Sequence, residues 1–501
     1  MNSDDRKMQD QEMPVYEPSA ENSGAENGTG SEGKIQLPSA VMYTYDALRN
    51  TNRALSAIML RMKEEVDAEC AKKAVKAVSE RYSFLNLKRV RDGERIAYVR
   101  QTVPIPCMHK KGTFVLGGKN LKGSLMAFAY YGDEVVFEAF HAVMDGYGMI
   151  EMLRTFIYYY CVYRYGEEPE MPGVRKLGDV LPQDEYEDIL SKPMPGVELP
   201  PMSPIPPVGM VPNISGEAAI NITGGIPQNI SVEAMKNIPG GIPQGFPAQR
   251  RKFAVISELG YTRCAENEFR NLFISVSLKE LLETAKQHNH SVTTLLTAVF
   301  NKAICDLHPE IQEEIRTSLA VSVRPAYHGS RTLQNGAAGI YLVSDGKLRE
   351  RDVLEQGTDL RAQLAEETKP QKLLPQIMFL SQAAKQVESM PLLYMKGRLL
   401  KKMLGAMRQE WTYKISYPGK MGFGEAEKFI RDVYTLQNTT SDGITMQILA
   451  TEQQLCISYI QDFKEEFIVR HFVELLNELG IPSAVHESRK AGGMYVKGFQ
   501  K

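Results

Sequence analysis

The chain has 501 residues and a formal net charge of −2, and its hydrophobic content of 43% and charged content of 24% are typical of a globular protein. This length exceeds one ordinary hydrophobic core, so we expect two domains or one duplicated unit. The near-neutral balance disfavours a nucleic-acid partner, because neutralising phosphates requires a clustered basic excess.

Export and membrane signals are missing from the sequence pattern. No stretch approaches the roughly 18 apolar residues that a spanning helix requires. The N-terminal segment is polar and acidic, without the basic and apolar parts of a signal peptide. The six cysteines form no CxxC pair, which favours reduced thiols over a zinc site or a disulfide scaffold. We therefore predict a cytoplasmic protein with no bound metal and no membrane span.

In the first third of the chain, we predict a disordered tail over residues 1–35, because they are polar and rich in Gly and Ser. Apolar periodicity predicts a mixed α/β half over residues 36–175. In chain order this half contains a strand in "RALSAIMLRM", a helix in "DAECAKKAVKAVSERY" and a hairpin around Asp92-Gly93. A second hairpin turns at Gly132-Asp133, and a long helix follows from Met149.

A Pro/Gly-rich region, residues 176–250, predicts a linker or insertion without its own core. Residues 251–481 predict a second mixed α/β half, with a helix capped by Ser291 and a closing helix that stops at Gly480. The remaining residues, 482–501, predict a loose C-terminal tail.

The stretch "EAFHAVMDGYG" places His141 where a buried-looking strand ends. A neutral imidazole can take a proton from a hydroxyl or amine near neutral pH, although a lone histidine at a strand end is more often structural. Asp145 would need a cation or several donors if it is buried. Gly146 leaves room for a substrate to pass close to the backbone.

The "HAVMDG" segment resembles the HxxxDG signature of the CoA-dependent acyltransferase superfamily. That superfamily includes chloramphenicol acetyltransferase, polyketide-associated acyltransferases and the condensation domains of nonribosomal peptide synthetases. Three further segments are similar to those of the superfamily: "SVTTLLTAVFNKAI", "VSVRPAYHGSRTLQNGAAG" and "ISYPGKMGFGE". The resemblance covers residues 38–480 outside the Pro-rich region, and it is closest to bacterial alcohol acetyltransferase-like proteins.

The resemblance implies an α/β (α+β) fold in which two chloramphenicol-acetyltransferase-like halves, each a mixed-sheet sandwich, form a pseudo-dimer with a tunnel between them. It implies that His141 is the general base and that Asp145 is structural and pairs with Arg324. Gly146 would lie beside the tunnel. Three further positions match substrate-facing residues of the superfamily: Asn335, Ser416 and Tyr417.

The implied activity is transfer of an acetyl or other acyl group from CoA to a small alcohol or amine, with acyl-CoA as co-substrate and no bound cofactor. One alternative is a condensation-like enzyme that uses a thioester on a carrier protein. Another is a relative without turnover that binds or regulates. Phe140 replaces the first histidine of the HHxxxDG form, and "YPGKMGFGE" replaces the DFGWG motif of plant members, which disfavours a plant-type enzyme.

Overall fold

The computed structural model describes residues 34–35, 44, 55–112, 114, 116–197, 253–265, 268–407, 411–436 and 443–492. Residues 1–33 of the predicted N-terminal tail and most of the Pro-rich region lie outside these residues, whereas Lys34 and Ile35, the last two residues of that tail, form a short strand. The described residues from Ile35 onward belong to one compact unit. The boundaries proposed for the two halves, 36–175 and 251–481, stay predictions.

Helices and strands are mixed along the described chain. The helices are α1 (Ala68–Arg81), α2 (Gly146–Tyr165), α3 (Leu278–Gln287), α4 (Val292–Leu307), α5 (Gly346–Arg349), α6 (Val353–Glu367), α7 (Pro370–Ser389), α8 (Leu393–Met407) and α9 (Phe467–Glu478). The strands are β1 (Lys34–Ile35), β2 (Leu55–Met62), β3 (Leu87–Asp92), β4 (Arg95–Arg100), β5 (Cys107–His109), β6 (Met126–Tyr131), β7 (Glu134–Phe140), β8 (Glu268–Ser277), β9 (Ile315–Ser322), β10 (Ala337–Ser344), β11 (Tyr413–Ser416), β12 (Ile430–Thr435), β13 (Ile444–Ala450), β14 (Gln454–Gln461) and β15 (Ser483–Gly492).

Two large mixed sheets organise the described residues. One has five strands in the order β12-β2-β7-β6-β5, and the other has seven in the order β10-β9-β11-β13-β14-β8-β15. In the first sheet β5 runs parallel to β6, and in the second β11 runs parallel to β9 and β13. Each sheet buries a face in its own hydrophobic cluster. The predicted α/β class with two mixed-sheet halves is confirmed.

Local capping explains where two central helices begin. The Asp145 side chain accepts a hydrogen bond from Gly148 N at 3.2 Å and caps α2. Ser291 caps α4 in a reciprocal capping box with Thr294, so the predicted N-cap is confirmed. The α2 helix ends at Gly166, whose φ of 68° lies in the left-handed region.

Strand β12 belongs to the second half of the chain but pairs with the first sheet. It runs antiparallel to β2, with Val433 opposite Leu60 and Tyr434 opposite Met59. The sequence analysis did not identify this strand, because its partner lies more than 350 positions away and no nearby turn signals the pairing. The crossover ties the two halves together through main-chain hydrogen bonds.

The start of the Pro-rich region packs against the second sheet, and the linker or insertion without its own core stays a prediction for the region as a whole. Residues 176–197 are described, and Ile189 and Met194 are buried in the cluster of the second sheet. Glu185 is 2% exposed and lies between two arginines, with its oxygens 3.0 Å from Arg81 Nη2 and 2.6 Å from Arg175 Nε. This segment therefore packs on the protein, while residues 198–250 lie outside the described residues.

The C-terminal tail also differs from its prediction as a loose segment. Residues Ser483–Gly492 form β15, an edge strand antiparallel to β8. Its sequence is largely polar, as is common for the exposed edge of a sheet, and this composition disguised the strand. The residues after 492 lie outside the described part.

A cluster of charged side chains ties β15 to the first sheet. Arg61 on β2 pairs with Glu487 on β15, and its Nε lies 3.5 Å from Glu134 and 3.8 Å from Asp432. Arg489 Nη2 lies 2.6 Å from Glu134, and Arg489 also pairs with Glu487. Burial raises the pKa of Asp432, which Arg61 opposes. Removing one cation from this cluster therefore leaves carboxylates in a poorly solvated place.

We predict that Arg61→Ala lowers the free energy of unfolding by about 3 kcal/mol, the lower end for breaking a buried ion pair. Lys428→Ala, which removes an exposed pair with Glu167, is the matched control and should change stability by less than about 1 kcal/mol. Urea unfolding at pH 7 measures both. Equal, small effects of the two substitutions would show that the Arg61 cluster contributes no more than a surface pair.

Candidate active site

Strand β7 is the central strand of the first sheet, and His141 directly follows its last residue. This strand lies between β2 and β6, and its residues Val135, Phe137 and Ala139 are buried at 2%, 0% and 0% exposure. The chain then turns, with Val143 N donating to Phe140 O at 2.8 Å, and enters α2 at Gly146. His141 itself is half-buried, at the end of a rigid strand.

Asp145, four residues after His141, forms a buried ion pair with Arg324. Arg324 Nη2 lies 3.0 Å from Asp145 Oδ1 and 2.9 Å from Oδ2, and the two residues are 7% and 5% exposed. Gly336 N donates to Asp145 Oδ2 at 2.9 Å, and Gly148 N donates to Oδ1. One cation and two amides thus meet the requirement of a buried carboxylate. The structure brings Asp145 and Arg324 together as expected from the sequence.

The loop 332–336 encloses the Arg324 guanidinium. Nε donates to Thr332 O at 3.1 Å and Nη2 donates to Gln334 O at 2.9 Å. The Tyr147 ring covers the group, with its centroid 4.5 Å from Cζ. A Cβ added at Gly336 would lie 2.8 Å from Arg324 Cζ, so this position requires glycine for space. The geometry leaves the arginine one orientation, directed at Asp145.

Asn335, in the same loop, contacts His141 directly. Its Oδ1 lies 3.1 Å from His141 Nδ1, and its Nδ2 donates to His141 O at 2.9 Å. Because the amide nitrogen is committed to a carbonyl, Oδ1 faces the ring, and Nδ1 must carry the proton to form the hydrogen bond. That tautomer places the ring's lone pair on Nε2. Asn335 thus holds the imidazole in one orientation, and the substrate-facing place that the resemblance implied for it stays a prediction.

The loop after β11 lies against the start of α2. A Cβ added at Gly146 would be 3.5 Å from Pro418, an ordinary contact. Ser416 is the last residue of β11 and pairs with Ala320. Tyr417 is half-buried, burial raises the pKa of its phenol, and it lines a cavity of about 530 Å³. In this loop, Tyr417 therefore lines the cavity and Pro418 lies against Gly146.

The sequence analysis did not identify the residues that pack around the Asp145–Arg324 pair. A Cβ added at Gly148 would lie 2.2 Å from Leu333 O, so α2 and the loop 332–336 touch through a glycine. Arg175 Nη2 donates to the Tyr147 hydroxyl at 3.5 Å and also pairs with Glu151. The second glycine of "DGYG" was the one local signal for the close contact, whereas the ionic contacts join distant positions and leave no local pattern.

Phe140 occupies the place of the first histidine in the HHxxxDG form. It is 4% exposed in the core of the first sheet, and the Arg89 guanidinium carbon lies 5.8 Å from its ring centroid. Burial lowers the pKa of Arg89. Phe140 thus contributes packing and a cation–π contact, and it adds no titratable group beside His141.

The described residues contain neither a cluster of metal ligands nor a membrane-spanning helix. No group of three or more His, Cys, Asp or Glu side chains there could hold a metal ion. Within that part of the chain, no helix combines the length and the apolar character needed to cross a membrane.

Comparison with known proteins identifies the fold. No protein-family model and no curated protein sequence matches the chain. Among solved structures, the first condensation domain of the CDA synthetase is similar at a TM-score of 0.55 and 11% identity, covering 89% of this chain and 96% of that one. Polyketide synthase associated protein 5 from Mycobacterium tuberculosis gives 0.52 and 12%, covering 89% and 97%. F. sporotrichioides TRI101, solved with coenzyme A and T-2, gives 0.51 and 10%, covering 90% and 100%.

The class that these likenesses define is the two-lobed fold of condensation domains and CoA-dependent acyltransferases. The chain has that fold, and the predicted resemblance is confirmed at this level. Identities of 10–12% establish the fold alone. A finer position near bacterial alcohol acetyltransferase-like proteins stays a prediction.

A buried carboxyl lies on β7 three residues before His141. Glu138 is 0% exposed, and both of its oxygens accept from Phe114 N, at 3.0 and 2.9 Å. Burial raises its pKa from 4.5 to about 7, against the opposing effects of the Phe114 amide and Lys110. The folded protein therefore keeps a proton that the unfolded chain loses, and stability should fall as pH rises from 4.5 to 7.

We predict that Glu138→Gln stabilises the protein at pH 8 by on the order of 3 kcal/mol and changes little at pH 4.5, since each pKa unit is worth about 1.4 kcal/mol. Glu283→Gln, at an exposed position on α3, is the control and should give the same small difference at both pH values. Urea unfolding at the two pH values measures the effect. A Glu138→Gln difference independent of pH would contradict it.

Proposed function

We propose that this chain is an acyltransferase that moves an acyl group from a thioester to an alcohol or amine, with His141 as general base. The observation that carries this proposal is the contact between His141 Nδ1 and Asn335 Oδ1 at 3.1 Å, beside the buried Asp145–Arg324 pair. It favours the tautomer whose Nε2 accepts a proton. Gly146, at the start of α2, is proposed to lie beside the path of the substrate.

The proposed reaction proceeds without a covalent enzyme intermediate. His141 Nε2 takes the proton from the acceptor hydroxyl or amine as its oxygen or nitrogen attacks the thioester carbonyl carbon. The carbonyl π electrons move to oxygen, and a tetrahedral intermediate forms. When its C–S bond breaks, the thiolate receives the proton from Nε2. The products are an ester or amide and a thiol, and His141 returns to its starting form.

Asp145 and Arg324 act as positioning residues in this proposal. Asp145 accepts from Gly336 N, the amide next to Asn335, and Arg324 donates to the carbonyl of Gln334 on the other side. The pair therefore fixes the main chain on both sides of the residue that orients His141. Neither group transfers a proton.

The donor in the proposed reaction is acyl-CoA, with no bound cofactor. TRI101, one of the structures of the same fold, was solved with coenzyme A. The similarity to a condensation domain of the CDA synthetase favours a second candidate, in which the thioester is carried by a partner protein. Incubation with acyl-CoA and, separately, with an acylated carrier protein distinguishes them, since a condensation-like enzyme should release little thiol from free acyl-CoA. Ser416 and Tyr417 are proposed to face the substrates.

The primary test is thiol release from acyl-CoA in the presence of a panel of alcohols and amines. We predict that His141→Ala lowers turnover by at least about 10²-fold, the lower range for general-base catalysis. His109→Ala removes an exposed imidazole on edge strand β5, and it should leave turnover unchanged. Unaltered turnover in a folded His141→Ala protein would exclude His141 as the base.

A second prediction concerns the role of Asn335. A carboxylate at this position favours the protonated imidazole, which cannot accept a proton. Asn335→Asp should therefore move the acid limb of the kcat/KM profile to higher pH. Asn335→Ala should lower kcat, by up to about 10²-fold for a misplaced catalytic group, without moving that limb. Profiles identical to that of the wild type in both variants would exclude the orienting role.

A further inference from the structure

A cavity of about 530 Å³ opens beside the seven-stranded sheet, between strands β9 and β11 and helices α4, α6 and α7. Its wall is mostly apolar and includes Leu319, Leu364, Leu373 and Ile415. The polar groups on the wall are hydroxyls, and no charged side chain lines the cavity among the described residues. Its volume falls within the range of about 300–1,000 Å³ that is usual for small-molecule sites.

The wall of this cavity shares two main-chain segments with the candidate active site. Ser322 and Pro325, which line the cavity, lie on either side of Arg324, the partner of Asp145. Tyr417 also lines it and precedes the proline that lies against Gly146. The cavity wall therefore continues into the segment that carries Arg324 and into the loop that contacts the start of α2.

The chemistry of the wall selects the kind of group that fits. A phosphate or a carboxylate would be left without a cationic partner and would bear its desolvation cost. An alkyl chain has no polar group to desolvate. Each CH₂ that it buries contributes roughly 0.8 kcal/mol to the binding free energy, equivalent to about fourfold in affinity. The cavity, at about 530 Å³, has many times the volume of about 30 Å³ that one water occupies in the liquid. An acetyl group would leave most of it unfilled.

We propose that this cavity holds the alkyl chain of the acyl donor, so that the enzyme prefers thioesters with chains of several carbons to acetyl thioesters. This inference rests on the proposed acyl transfer and revises its expected acyl group. It also assigns Ala320 as a specificity-determining residue. Ala320 lines the cavity and is exposed to it, while its main chain pairs within the sheet with Gly339 and Ser416. A larger side chain at this position should occupy the space of the chain and leave the strand pairing in place.

The test compares acetyl-, butyryl-, hexanoyl- and octanoyl-CoA on the full chain. In the wild type, kcat/KM should rise about fourfold for each added CH₂ until the cavity is filled. Ala320→Phe should lower kcat/KM for octanoyl-CoA at least tenfold and change that for acetyl-CoA by less than about twofold. Ala362→Phe is the matched control, since Ala362 is exposed on α6 but does not line the cavity. It should keep the wild-type dependence on chain length.

Two further measurements separate failure of this inference from failure of the proposed function. Calorimetric titration with octanoyl-pantetheine, a neutral molecule, should give equal affinity for the wild type and His141→Ala and at least tenfold weaker binding to Ala320→Phe. That result without any turnover would contradict acyl transfer and still support the cavity as an alkyl site. Turnover of acetyl-CoA with a flat chain-length profile in both proteins would overturn the inference and leave acyl transfer standing.

The acceptor alcohol is the other source of an alkyl chain. Turnover is therefore also measured with ethanol, butanol, hexanol and octanol at a fixed donor. If Ala320→Phe alters this acceptor series and leaves the donor series unchanged, the cavity holds the acceptor, and the assignment to the donor is overturned. An altered donor series with an unaltered acceptor series supports it.

Discussion

The ion pair between Asp145 and Arg324 is the interaction on which the candidate site depends. It joins residues 179 positions apart, at the start of α2 and directly after β9. Taking both charges out of water is costly, and the structure offsets this with amides on the carboxylate and carbonyls on the guanidinium. These additional hydrogen bonds all come from the loop 332–336 or from α2. The pair therefore specifies where two segments of the chain meet more than it adds net stability.

The orientation of the His141 ring follows from the contact between α2 and the loop 332–336. The loop held by Arg324 carries Asn335, whose amide accepts from the imidazole and donates to the same residue's carbonyl. Two glycines make the approach possible, since a Cβ at Gly148 or Gly336 would collide with the loop or with the guanidinium. The imidazole tautomer is thus a consequence of packing between the two halves.

Segments that are far apart in the sequence also meet in the first sheet and at the cavity. Strand β12 adds the second half's chain to the edge of the first sheet, and β15 contacts β2 and β7 of that sheet through the Arg61 cluster, which also includes Asp432 of β12. Helices α6 and α7 close over β9 and leave the apolar cavity next to the ion pair. The segments that carry Arg324 and contact α2 therefore also border the apolar space, which connects the proposed chemistry to a proposed preference for its donor.

The sequence by itself determined the elements whose causes are local. Apolar periodicity, the Ser291 cap and the Gly132-Asp133 turn predicted helices and hairpins that the structure contains. The HxxxDG pattern pointed to His141 and Asp145, and the separate VSVRP segment pointed to Arg324, which the structure places beside Asp145. The tertiary structure alone decided the partner of Asn335, the pairing of β12 and β15, the packing of residues 176–197 and the cavity at Tyr417. The physical reason is distance along the chain. A cap or a turn is specified by residues within one helical turn, whereas these contacts arise only when segments hundreds of positions apart are brought together.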